Sequence, residues 1–196
     1  MLHKYNLSCF SIFCTMEKFD KQKMLEVVLF VLNETKGTDC YHLFKILYFA
    51  DREHLSKWGR RIIRDDFYAL KYGSVPSLLY DSIKQLHKPE NDFGIIFSEV
   101  VDFAEEDASS MLVAKRNADT DYLSEAEKES LLSSIKTYQS KTFSELKTLS
   151  HGIAWQKACR TAKKIISTDD MAEEAGANAD MLAYIKERSL LSASLS

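Results

Sequence analysis

Residues 24–32 read MLEVVLFVL, with Glu26 the one polar position among them. Inside a segment opened by charged residues, such a run predicts a helix over 17–34, buried on most of its sides. Lys36-Gly37-Thr38-Asp39 then breaks the pattern. Glycine suits a helix C-terminus, and Thr38 or Asp39 suits the cap of a following helix. That helix is predicted over 40–57, where Leu43, Leu47, Ala50 and His54 recur at helical spacing and share one face. The short loop predicts that the two helices pair antiparallel.

Trp58-Gly59 ends the second helix, and the period changes. Phe67, Ala69 and Lys71 alternate with Tyr68, Leu70 and Tyr72, which suits a short strand. Gly73-Ser74-Val75-Pro76 predicts a turn. Pro76 is placed in the first turn of a helix carrying Leu78, Leu79, Ile83 and Leu86, where its missing N–H costs nothing. Apolar runs at 95–103 and 111–114 flank a polar stretch and predict an antiparallel hairpin with an acidic loop. The last third is helical. Ser124-Glu125-Ala126-Glu127 and Thr142-Phe143-Ser144-Glu145 both match the capping box that opens a helix. A helix through SHGIAWQKA follows, then a short one around 169–175 stopped by Gly176, then a last one over 179–190. The pattern predicts one domain over 17–190, mainly α within the α+β class: a compact helical domain with a small antiparallel β-sheet.

The two ends read differently. In residues 1–16 the polar Asn6, Ser8, Ser11 and Thr15 interrupt the apolar positions, so the segment suits neither a signal peptide nor a membrane span. It is read as an extension with Met16 as the natural start, and residues 191–196 as a flexible tail. Composition adds little to the fold but narrows the function. Two prolines and six glycines in 196 residues favour helices over a turn-rich sandwich. A net charge of −3 speaks against non-specific nucleic-acid binding, which needs a positive field. The four cysteines, at 9, 14, 40 and 159, form no metal-binding spacing and suit reduced thiols of a cytoplasmic protein.

Candidate chemistry is sparse. Asp51 and His54 lie three residues apart on the second helix, and with Asp65 and His151 they would make an acid–base or metal cluster if the fold brought them together. A hydrogen-bonded core histidine explains His54 more simply. His151 and Cys159, two turns apart on one helix and so about 12 Å along its axis, do not suit a thiol dyad. Basic residues gather at Lys57, Arg60, Arg61 and Arg64, and again at Lys157, Arg160, Lys163 and Lys164. The second group is spaced as one helical face, which is how a phosphate backbone is bound. The element order also resembles a winged helix, so a DNA-binding regulator of its own operon is the alternative function, with operator DNA as partner. Asp65, Asp66 and the acidic strip at 99–107 oppose it.

One stretch resembles a known family. FKILYFADREHLSKWGRRIIRDDFYALKYGSVPSLLYDSIK, residues 44–84, is similar to the central motif of the Panacea domain, the SocA-like antitoxins. Leu47-Tyr48-Phe49-Ala50-Asp51 matches its Tyr-x-Ala-Asp element, with His54 and Gly59 in register, and Tyr72-Gly73-Ser74-Val75-Pro76 matches its central turn. Ser150-His151 and Trp155 match a downstream Ser-His…Trp element, so the resemblance runs over about 20–186. Ser74 stands where proline is common, and Arg64-Asp65 where Gly-Asp is usual; neither departure touches known chemistry. The resemblance implies a non-enzymatic bacterial antitoxin, often found on prophages and other mobile elements, that needs no cofactor. It would bind and neutralise a cognate toxin encoded nearby, or deliver it to a protease. The anchors expected for the toxin are Trp58, Arg60, Arg61, Tyr68, Tyr72 and Tyr80, aromatic and arginine residues of the kind that dominate interfaces.

Overall fold

The computed structural model describes residues 18–104 and 111–194. The expected N-terminal extension, the Met16 start, residues 105–110 of the acidic loop and the final two residues of the tail lie outside them.

Helix α1 spans Lys18–Thr35 and buries every residue from 24 to 32, Glu26 included. Glu26 sits in that core because four donors meet its carboxylate. Arg116 offers both guanidinium arms at 2.6 and 2.8 Å, Asp119 its backbone N–H at 2.8 Å, and Gln22 its amide at 2.6 Å. Burial alone would raise this carboxyl's pKa; the donors outweigh it and hold the group below its ordinary value.

A two-residue strand β1, Thr38–Asp39, separates α1 from α2, Cys40–Trp58. Of the two residues expected to cap α2, Thr38 and Asp39, it is Asp39 that does so, accepting the N–H groups of Tyr41 and His42 at 2.9 and 3.0 Å. α2 is the central helix, and its closest helical neighbour is α5, Glu125–Tyr138, rather than α1. The expected antiparallel α1–α2 pair is therefore corrected. β1 turns the connection into a sheet edge, pairing Thr38 with Leu112 and Asp39 with Met111 on β5, Met111–Ala114. A helical period tells which face is buried but not which element covers it.

The hairpin β2–β3 corrects a second expectation. β2, Phe67–Leu70, pairs antiparallel with β3, Gly73–Pro76, in the register Phe67↔Pro76 to Leu70↔Gly73. Residues 73–76 are thus a strand, and Lys71-Tyr72 makes the turn. Pro76 ends the strand, where it withholds no needed ladder donor, and precedes α3, Ser77–Lys84. The run at 95–103 is corrected too. Most of it is helix α4, Asp92–Val100, capped by the Asn91 side chain on the Gly94 N–H at 2.8 Å. Only β4, Val101–Phe103, remains as strand, and it pairs with β5 to give the sheet order β1-β5-β4. A short apolar run reads alike as buried helix or strand, so periodicity alone did not decide it.

Helix α6, Phe143–Ser150, and α7, Ile153–Cys159, are separated by His151-Gly152 rather than continuous. α8, Thr168–Glu174, follows, and α9, Ala179–Ser194, runs four residues past its expected end. Both capping boxes form, at Ser124 and Thr142. Ser124→Ala removes the bond to the Glu127 N–H and is expected to lower unfolding free energy by about 1 kcal/mol in urea denaturation. An unchanged midpoint would mean water replaces the cap without loss.

Candidate partner-binding site and the motif beneath it

The polar motif residues are tied to the domain itself. Asp51 is fully buried on α2. One carboxylate oxygen accepts the Ile62 N–H and the other accepts Arg61 Nε at 2.6 Å. Arg61 then reaches the Asp65 carbonyl at 2.8 Å and lies 4.9 Å from the centre of the Phe67 ring. The pair thus folds the segment after α2 back onto it. Asp65, also buried, caps α3 from a distance: its carboxylate accepts the Ser77 hydroxyl at 2.9 Å and the N–H groups of Leu78 and Leu79, both at 3.1 Å. Burial pushes its pKa up, against the pull of those donors. His54 faces α5, with Nδ1 3.3 Å from the Ser130 hydroxyl, and burial lowers its pKa.

The downstream element closes around β3. Gly73 has φ +108, and a Cβ there would collide with the Ser150 hydroxyl and lie 2.8 Å from Lys45 Nζ. Lys45 is fully buried, donates to the Ser74 carbonyl at 2.7 Å and lies 4.8 Å from the centre of the Tyr41 ring. Burial lowers its pKa to about 7. The sequence reading missed this lysine, although its place inside LFKILYF was a signal. His151 caps α6 and stacks flat on Trp155 at 3.8 Å, while Trp155 Nε1 donates to the Leu70 carbonyl at 3.1 Å. Burial lowers the His151 pKa, and Lys147 and Lys45 lower it further. Asp51, His54, Asp65 and His151 therefore face four different sets of partners and do not converge. Among the described residues no three His, Cys, Asp or Glu side chains are placed to share a metal.

The six expected anchors do not make one surface. Arg61 is turned inward, as above. Tyr80 is half-buried, 6.1 Å edge-on from Phe44, and Tyr68 is half-buried where β2 meets Ile165. Trp58, Arg60 and Tyr72 are exposed, but at opposite ends of α2. Tyr72 meets Phe143 at 5.6 Å, and Phe143 meets Tyr41 at 4.4 Å, near the start of the helix. Trp58, 54% exposed, ends it, seventeen residues after Tyr41 and so about 25 Å away.

The basic groups separate as well. Lys57 pairs with Glu53 at 2.7 Å and Arg64 with Asp20 at 3.0 Å. Lys157 on α7 is held by Asp170 and Glu173, both at 2.7 Å. Arg160 caps α7, and Lys163 and Lys164 lie beyond its end, in a segment whose Lys164 carbonyl accepts the Ala69 N–H of β2 at 2.8 Å. The expected basic helical face is corrected: α7 stops too early to carry it.

What these residues define is an α+β scaffold whose polar motif holds its own loops and whose exposed Trp58, Arg60 and Tyr72 stand at the two ends of α2. The family model described as antitoxin SocA-like, Panacea domain, matches residues 43–156, more than half of the chain. This chain belongs to that antitoxin family. The match is narrower than the resemblance over 20–186, leaving α1, α8 and α9 outside it. No curated protein and no solved structure matches the chain. No helix among the described residues is long and apolar enough to cross a membrane.

Proposed function

We propose that this protein neutralises a cognate toxin, encoded beside it, by direct protein–protein binding in the bacterial cytoplasm. It acts by sequestration, without covalent chemistry or cofactor. The observation that carries this reading is the inward commitment of the motif. Within the family-matched segment Asp51, Arg61, Asp65 and His54 each bond to the domain's own backbone or side chains. A domain whose defining polar groups hold its shape works through its surface. The operator-DNA alternative loses its main support, since Lys157, Arg160, Lys163 and Lys164 share no helical face.

Co-expression with the product of the adjacent reading frame tests the proposal. The expected result is restored growth and a stoichiometric complex in size-exclusion chromatography, with the toxin's half-life unchanged. Growth arrest undiminished by this protein would overturn it. A toxin half-life shortened by the protein would instead assign delivery to a protease.

A further inference from the structure

We propose that Arg60 and Arg188, gathered around the phenol of Tyr184 where α2 ends, form a carboxylate-binding site that receives an acidic side chain of the partner toxin. The inference rests on the antitoxin reading and adds to it a place on the surface and a chemistry for the partner.

The site begins with Gly59. Its φ of +64 closes α2 in the left-handed region, and a Cβ there would lie 2.6 Å from the Tyr184 ring and 2.9 Å from Met181 Sδ. The bare backbone lets the Tyr184 ring of α9 lie against the end of α2. Arg188, one turn further along α9, donates to the Tyr184 hydroxyl at 3.2 Å. Arg60, the residue after Gly59, reaches the neighbourhood of the same phenol from the other element, and Arg188 together with Arg60 holds the phenol below its ordinary pKa.

The charge around them is unbalanced. Lys57, Arg61 and Arg64, in the same stretch as Arg60, each have a carboxylate partner. Among the described residues neither Arg60 nor Arg188 forms an ion pair, although Glu187 is next to Arg188 in sequence. Two cations brought near one phenol repel, and a carboxylate seated between them removes the repulsion while accepting charge-assisted bonds from both forks. The surroundings fit an interface anchor: Tyr184 is 41% exposed, and Trp58 adds an exposed indole at the same end of α2. Residues 1–16 contain no aspartate or glutamate, so that segment does not supply the acid. Arg60 lies inside the family-matched segment and Tyr184 and Arg188 outside it, so the site joins the shared scaffold to an element beyond it.

The test is calorimetric titration of the full chain with the product of the adjacent reading frame. If the unaltered protein does not bind it, the antitoxin reading fails first, and this inference with it. If it binds, Arg60→Glu and Arg188→Glu are each expected to weaken the complex about tenfold or more, and the pair about a hundredfold. Arg60→Gln with Arg188→Gln should show a smaller loss, and Lys141→Gln, beside His42 near the start of α2, a change within about threefold. Changing the matching acidic residue of the toxin to arginine should restore affinity to the Glu variants. A doubly changed protein that binds within about threefold of the original overturns the proposal. So does a double variant that keeps its toxin affinity but loses self-association, or loses binding to an upstream DNA duplex; those results assign the arginines to a second copy or to phosphate.

Discussion

Asp51→Ala is expected to lower stability by about 3–5 kcal/mol, the usual consequence of removing one partner of a buried ion pair. The alanine would leave the Ile62 N–H without its acceptor and the Arg61 guanidinium against the Phe67 ring, held only by the Asp65 carbonyl. Damage would spread, because Arg61 helps place the segment whose Asp65 caps α3. For a chain of this size the melting temperature should fall by about 10 °C in calorimetry. Asp51→Ala with Arg61→Met should recover much of the loss, since an absent pair is tolerated better than a broken one. A single variant melting within about 2 °C of the original would show that the pair contributes little to holding the loop.

Lys45→Met is expected to change how stability depends on pH. In the folded protein the Lys45 pKa is lowered to about 7, against 10.5 for the free side chain. Below about 7 both states carry the proton, and the burial penalty is fully present. Between about 7 and 10.5 the unfolded chain binds the proton and the folded one does not, so stability rises with pH across that window. Cys40, Tyr41 and Tyr48 work in the opposite sense at the alkaline end, because burial raises their pKa values and the folded state resists their ionisation. The clean window is therefore pH 7 to 9. There the original protein should gain up to about 1.4 kcal/mol per pH unit relative to Lys45→Met. The variant should also be the more stable of the two near pH 6, despite losing the bond to the Ser74 carbonyl. Urea midpoints for both proteins at pH 6, 7, 8 and 9 decide the matter, and parallel curves would refute it.

Both effects belong to groups whose weight was only partly legible. Asp51 stood out as a motif residue, and its pairing with Arg61 joins two elements the sequence had already placed side by side. Arg61, however, was expected on the surface among the toxin anchors. An arginine in RRIIR shows its charge but not its direction, and a buried carboxylate was needed to turn it inward. Lys45 passed unnoticed because one polar residue in an apolar helix normally faces water. Here α2 is covered on several sides, and no such face exists at that position. Arg188 and Tyr184 gave no sign, since their meeting with Arg60 depends on α9 crossing the end of α2.

The sequence by itself determined what is local. Asp39, Ser124 and Thr142 cap the helices they were expected to cap, because a cap is a bond between residues two or three apart. Gly59 ends α2 for the same kind of reason, through its own left-handed backbone. The central motif was also readable, and the family follows from it. Tertiary structure decided what depends on a distant partner. Residues 73–76 are a strand because β2 lies opposite them, and the apolar run from 95 to 103 divides where β4 meets β5, with α4 before it packed on α3. α2 rests on α5 because β1 bends the chain away between α1 and α2. Periodicity records which side of an element avoids water; the covering element, and the charges it brings, come from chain packing over distances no local pattern encodes.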